Sequence, residues 1–377
     1  MIFRSQYLSD HPRIIINQRM ETLPLETLQE ILDWLSPEDQ PTPRLTCKLF
    51  SQMIPRTPEY QRHLGLVTDD PTLVSSALSR RPEFARDICR ESAKHGSLEV
   101  LKWARVNGCP WNKRICSQAA LSGHLHILQW ARVNGCSWNE WTCMNAAENG
   151  HFEVLQWAHQ NGCPWDSWTC AYAAQNGHLE ILQWAHQNGC PWDFRTCAFA
   201  AQNGHLHILE WARANDCPWE FRTCSNAAQN GHLEVLQWAR ANGCSWNEWT
   251  CACAALNGHL EVLKWAKANG CPWDASTCTY AATNGHLEVL QWAHQNGCPW
   301  NSYTGIHAAK NGHLEIIQYV YQNDCPWSCL TCEYAAQNGH LEVLQYVHRK
   351  GYPWDSQECL SLSKNYPQVQ EWIRQNM

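Results

Sequence analysis

The side chains with the most reactive chemistry in this 377-residue chain are 22 cysteines and 19 histidines, and most of them recur at a fixed interval. Cys163 and Cys170 lie seven residues apart with His178 following, a grouping that invites a structural zinc site. Such sites usually take paired ligands two to four residues apart. No Cys-x-x-Cys pair recurs here, and Gly305 and Tyr352 stand where other copies hold cysteine, so the position is not a ligand. The cysteines read instead as small buried hydrophobes. A disulfide framework belongs to short secreted chains; this chain is long and shows no apolar export signal in its first twenty residues. A histidine with a glutamate two residues on, as in His178 and Glu180, could serve acid–base catalysis. Equivalent copies spread along a chain do not converge on one centre. They read as helix caps and hydrogen-bond partners between neighbouring units, with the glutamate placed favourably at a helix start. No phosphate-binding glycine loop and no Ser/His/Asp signature is present. The expectation is a protein that is not an enzyme, with no catalytic residue, cofactor or metal.

What positions these residues is a repeat. The glycine of the Gly-His-Leu-Glu motif falls at Gly96, Gly123, Gly150, Gly177, Gly204, Gly231, Gly258, Gly285, Gly312 and Gly339, always 27 residues apart, and Trp111 through Trp354 keep the same step. In the unit from Trp165 to Trp192, Asp166 is placed to cap a helix. Asn112, Asn139, Asp193, Asn247, Asp274, Asn301, Ser328 and Asp355 occupy the same position in other units, and Glu220 is the exception. Trp165 before the cap and Cys170 in the first turn have the spacing of a hydrophobic staple. Cys170, Ala173 and Ala174 form the buried face, and Gly177 stops the helix. A second helix, from Leu179 to Asn188, offers Leu179, Ile181, Leu182, Trp184 and Ala185 as a wide apolar stripe, which makes the tryptophans mostly core. Nothing alternates with period two, so strands are not expected.

The string Thr-Cys-x-x-Ala-Ala-x-Asn-Gly-His-Leu-Glu-Val-Leu-Gln-Trp-Ala-x-x-Asn-Gly resembles the ankyrin repeat over residues 88–358. The resemblance implies an all-α fold, an ankyrin-like solenoid of ten or eleven stacked helix pairs. An ankyrin unit usually has 33 residues. The six missing here are those of the projecting finger, replaced by a Cys-Pro-Trp turn. Arrays with this short unit resemble proteins encoded in families by giant viruses of amoebae. The ends differ from the middle, as capping units do: Leu73 to Ala85 reads as a degenerate helix pair within a linker and capping repeat (55–87), and 359–377 as C-terminal capping helices.

Residues 20–54 break the period. Leu23, Pro24, Leu28, Ile31, Leu32 and Leu35 present one apolar helix face behind a proline start, and with Arg44 to Phe50 the segment resembles an F-box. Pro41 and Pro43 depart from that pattern by interrupting its second helix. The resemblance implies docking of those six residues on the Skp-type adaptor of a cullin–RING ubiquitin ligase. The other reading is a small helical segment that only caps the array. Residues 1–19 form an N-terminal extension.

Positions that vary between units are candidates for recognition. On the first helix, two varying positions four apart share a face. Along the array they supply Arg114, Trp141, Trp168 with Tyr172, Arg195 with Phe199, Arg222, Trp249, Tyr280, Tyr303 and Tyr334. Aromatics and arginine are enriched in interface hot spots. This stripe, taken as the concave side, is the candidate target-binding surface; sideways packing between neighbouring first helices is the alternative. A net charge of −7 without a Lys/Arg run argues against nucleic acid. No apolar stretch is long enough to span a membrane. These features point to a monomeric cytoplasmic protein-interaction module. It is either a substrate receptor of an F-box-type ligase with an unknown target protein, or a repeat scaffold with no link to a ligase.

Overall fold

A computed structural model of the chain describes residues 58–377, and the F-box-like segment lies outside them. The described residues are helical throughout, with no strand. They fall into two compact units, ending and beginning at Pro164 and Trp165. The first holds helix pairs 58–67/71–80, 88–95/98–106, 114–121/125–133 and 140–148/152–160, with a 3-10 turn at 82–86. The second holds eight pairs: 167–175/179–187, 194–202/206–214, 221–229/233–241, 248–256/260–268, 275–283/287–295, 302–310/314–322, 330–337/341–349 and 356–362/367–375. That is eleven pairs from residue 88 onward, as expected, with a degenerate pair ahead of them. The degenerate pair is Pro58–Val67 with Pro71–Arg80, in register with the 27-residue step, and not Leu73 to Ala85.

Each unit of the array ends its helices the same way. Gly177 and Gly189 both take φ +83°, a left-handed conformation that L side chains resist. The amide of Cys190 reaches back to the Ala185 carbonyl at 2.9 Å, closing the helix end. The asparagine before that glycine completes the stop: the Asn188 side chain donates to the Trp184 carbonyl at 2.8 Å. Two units place aspartate where glycine is expected, Asp216 at φ +61° and Asp324 at φ +60°.

Capping follows the expected position unevenly. Asp166, Asp193, Asp274 and Asn301 accept from the amide two residues on, at 2.9–3.1 Å, and Asp355 from the amide three on, at 2.9 Å. In the two units that read Asn-Glu-Trp, the oxygens of Asn139 and Asn247 are buried with no partner. The Asn139 amide instead donates to the Glu140 carboxylate at 3.3 Å.

The core is narrow and made of small residues. Cys170, Ala173, Ala174, Leu182 and Ala185 are fully buried, with Ile181 nearly so. Paired alanines leave room for the next first helix to approach closely. The tryptophans lie outside this core, contrary to expectation. Trp165 and Trp184 are both half-exposed and meet edge to face at 5.8 Å. A ring too large for the alanine-lined interior lies along its rim. Trp165 thus pairs with Trp184 of its own unit.

The histidines tie one unit to the next. His205 Nε2 is 3.1 Å from the Gln175 carbonyl, thirty residues earlier, and His286, His313 and His340 repeat the bond to Leu256, Thr283 and Lys310. Each ring lies against the glycine of the preceding unit, as His286 does on Gly258. Both ends improvise on this link. Ser97 replaces the histidine and bonds the Leu66 carbonyl. Asp69, left-handed at φ +51°, accepts from the amides of Glu99 and Val100 at 3.0 and 2.9 Å. At the other end Tyr366 covers Gly339.

One unit has exchanged its thiol for a phenol. Gly305 stands where other first helices carry cysteine, and a Cβ there would collide with Tyr321 Oη. Tyr321 turns inward from a position that holds His294 one unit earlier and bonds Thr331 Oγ1 at 3.2 Å. The equivalent threonine hydroxyls, from Thr142 to Thr304, are buried without a partner. Tyr321→Phe is expected to destabilise the array by about 1 kcal/mol, the worth of one buried hydrogen bond, read from urea unfolding midpoints. No loss would mean that the ring alone fills the space.

Candidate protein-interaction surface

The residues singled out on the first helices are presented differently in the two units. In the first, Arg114 is exposed and Trp141 is 50% exposed. In the second, the stripe condenses into local clusters. Trp168 stacks on Tyr172 with centroids 5.6 Å apart, and Phe199 of the following repeat lies 6.0 Å from both. The Arg195 guanidinium sits 4.1 Å above the Trp168 ring and pairs with Asp193 at 2.6 Å. Burial opposes ionisation of Asp193, but the hydrogen bonds and charge of Arg195 outweigh it and hold the carboxyl below its usual range.

Arg222 pairs with Glu220 at 2.7 Å and lies 5.2 Å from the Phe194 ring. Trp249 meets Tyr280 at 5.9 Å while remaining 46% exposed. Tyr303 is 58% exposed and meets His307 edge to face at 6.5 Å. Lys310 approaches the Tyr334 ring at 5.8 Å. Sideways packing thus holds for Trp168, Tyr172 and Phe199, and for Trp249 with Tyr280. These rings are braced by their neighbours and still offer a face to solvent. A braced aromatic gives contact area with little side-chain entropy left to lose.

Two neighbouring positions have a structural use. The Asn145 amide donates to the Ser117 carbonyl at 3.0 Å, and Asn226 to the Ala198 carbonyl at 3.2 Å. Both join successive first helices.

The sequence reading missed a second ribbon, on the second helices and turns. A cation precedes the turn tryptophan by six residues and covers its ring: Arg105 on Trp111, Arg132 on Trp138, Arg213 on Trp219, Arg240 on Trp246 and Lys267 on Trp273, at 4.0–4.3 Å. His186 and His294 stack in the same place on Trp192 and Trp300, at 3.8 and 3.7 Å. The signal was present as Arg, Lys or His six residues before every one of these tryptophans. Arg132, Arg213 and Arg240 also bond the carbonyls of Cys136, Cys217 and Cys244, so these cations fasten the turn rather than face a partner. Among the described residues no group of three or more His, Cys, Asp and Glu is disposed to hold a metal ion, and no helix is long and apolar enough to cross a membrane.

Residues 143–186 and 224–266 match the family of ankyrin repeats (many copies), and residues 278–357 that of ankyrin repeats (3 copies). Residues 20–62 match the F-box domain. Among solved structures, the human ASB11 ankyrin repeat domain is similar at 15% identity and a TM-score of 0.41, over 48% of this chain and 97% of that one. No curated protein matches the chain. Ankyrin repeats over 143–186, 224–266 and 278–357 indicate protein–protein interaction, and an F-box domain at 20–62 precedes them. Both families are typically non-catalytic interaction modules.

Proposed function

We propose that the chain is a substrate receptor of an F-box-type cullin–RING ubiquitin ligase. The observation that carries the reading is the joining of the two modules in one chain: an F-box domain at 20–62 and ankyrin repeats after it. In this arrangement Leu23, Pro24, Leu28, Ile31, Leu32 and Leu35 dock on a Skp-type adaptor. The clusters around Trp168, Trp249 and Tyr303 hold the target protein. The receptor acts as a monomer in the cytoplasm. The resemblance of the short repeat to arrays of giant viruses of amoebae favours a host cytoplasm, with both ligase and target belonging to the host.

The test is a pull-down with purified Skp-type adaptor. The intact chain is expected to bind, and Leu32→Asp with Leu35→Asp to lose about a hundredfold or more in affinity, because two carboxylates cannot be buried unpaired at low cost. Trp249→Ala with Tyr303→Ala should leave adaptor binding unchanged. Failure of the intact chain to bind would sink the ligase assignment and leave a repeat scaffold whose N-terminal helices act as a cap.

A further inference from the structure

Where one first helix meets the next, two junctions of the second unit hold an arginine in the same way. The Arg195 guanidinium lies 4.1 Å above the Trp168 ring of the preceding repeat. Its Nε donates to the carboxylate of Asp193, the capping residue of its own helix, at 3.0 Å. A terminal nitrogen donates to Asp193 at 2.6 Å and to Ser167 Oγ at 3.1 Å. Phe199 flanks the arrangement, 6.0 Å from Trp168. One repeat later, Arg222 pairs with the capping Glu220 at 2.7 Å and lies 5.2 Å from Phe194 of the preceding repeat. In both, a cation sits between the ring of one repeat and the capping carboxylate of the next.

Three periods after the first of these junctions, every part recurs except the cation. Trp249 stands for Trp168, Tyr280 for Phe199, Asp274 for Asp193, and Ser276 for Arg195. Glu248 takes the place of Ser167, so a second carboxylate replaces the hydroxyl. The two rings keep their spacing, at 5.9 Å and 32°, and Trp249 is 46% exposed. Asp274 caps its helix by accepting from the Ser276 amide at 2.9 Å. Among the described residues, neither Asp274 nor Glu248 enters an ion pair. Nor does any described cation lie over Trp249 or Tyr280.

We propose that this junction receives an arginine side chain of the target protein, in the pose that Arg195 takes within the array. The inference rests on the reading of the repeats as the target-binding surface and names the chemistry of one contact there. A guanidinium suits the place better than an ammonium. Being flat, it stacks on the indole face while its edge donates to a carboxylate, as Arg195 does on Trp168 and Asp193. Glu248 brings a further negative charge to the side where the Arg195 terminal nitrogen meets only a hydroxyl. The net charge of −7 favours the approach of a basic segment.

The experiment follows the indole resonances of the full chain by NMR after isotopic labelling of its tryptophans, with Trp249 identified by the signal lost in Trp249→Phe. N-acetylarginine amide is titrated at constant ionic strength. The Trp249 signal is expected to move and saturate with a dissociation constant on the order of 10 mM, the worth of one cation–π contact and two exposed ion pairs. N-acetylcitrulline amide, similar in shape but uncharged, should leave it in place. Asp274→Asn keeps a capping side chain and should weaken binding about fivefold. Ser276→Arg supplies the guanidinium from within and should abolish the response. The proposal is overturned if the arginine compound leaves the Trp249 signal unmoved, if the citrulline compound moves it equally, or if the response persists in Ser276→Arg. None of these results touches the adaptor pull-down, and a chain that fails to bind adaptor while Trp249 responds loses the ligase assignment alone.

Discussion

Gly258→Ala is expected to lower the stability of the array by about 3 kcal/mol, and Gly270→Ala by only about 1 kcal/mol. Both glycines are left-handed, at φ +77° and +83°, so the backbone cost is common to the two. Nothing lies within 4 Å of a Cβ at Gly270. At Gly258 the Cβ would meet Nδ1, Cε1 and Cγ of His286 at 2.7, 2.8 and 3.1 Å. The ring cannot move aside without giving up its 3.1 Å bond to the Leu256 carbonyl, and a carbonyl left without its donor adds roughly 1–3 kcal/mol. Urea unfolding of the two variants against the parent separates backbone strain from the loss of the link between units. Equal shifts would show that the histidine contact contributes nothing.

Acidification is expected to have the other large effect. Burial, first among the causes in each case, lowers the pKa of His63, His95 and His124, and of His205, His259 and His307. Neighbouring positive charge acts in the same direction: Arg62 and Lys94 on His63, His63 and Lys94 on His95, His126 and His151 on His124. His207 and His232 do so for His205, His232 and His286 for His259, and Lys310 for His307. The carbonyl bonds of His124, His205 and His259 oppose the shift without cancelling it.

A folded pKa below the unfolded one means that the unfolded chain binds more protons in that window. Stability is therefore full above about pH 6.5 and declines as pH falls through the folded values. Each histidine contributes at most about 1.4 kcal/mol per pH unit. The unfolding midpoint should fall steadily from pH 7 to pH 5, and His205→Gln should reduce that slope. A midpoint that is flat or rising over the same interval would refute the assignment.

The helix pairs, their stops and the Gly-His link were legible because each is repeated, and repetition separates what the architecture needs from what it tolerates. The tryptophans were misplaced because period alone puts Trp184 on the apolar stripe. Its exclusion follows from volume, since a first helix lined by Ala173 and Ala174 brings its neighbour too close for an indole. The opening pair was misplaced, and its first helix at 58–67 missed, because Asp69 and Ser97 replace the glycine and histidine that mark the junctions of the repeats that follow. Their bonds to Val100 and Leu66 do the same work with different atoms. Tyr321 escaped notice for a similar reason: it fills the space of a residue sixteen positions earlier, an exchange that no local pattern reveals. On the interaction surface the sequence located the varying rings, but it could not tell braced rings such as Trp168 from the projecting Tyr303. That difference depends on which neighbour each ring meets across the repeat boundary.

The histidine bond that spans thirty residues has a consequence for how such a chain can change. It reaches the adjoining unit and goes no further, and so do the links of Asn145 and Asn226 between successive first helices. Excising residues 219–245, one full period, would give every severed group an equivalent partner in the unit that takes the vacant place. Chain length is then a nearly free variable for this architecture. Recombination between copies can lengthen or shorten the ladder without inventing a new contact, and each added rung brings another pair of varying positions to be tried against a partner.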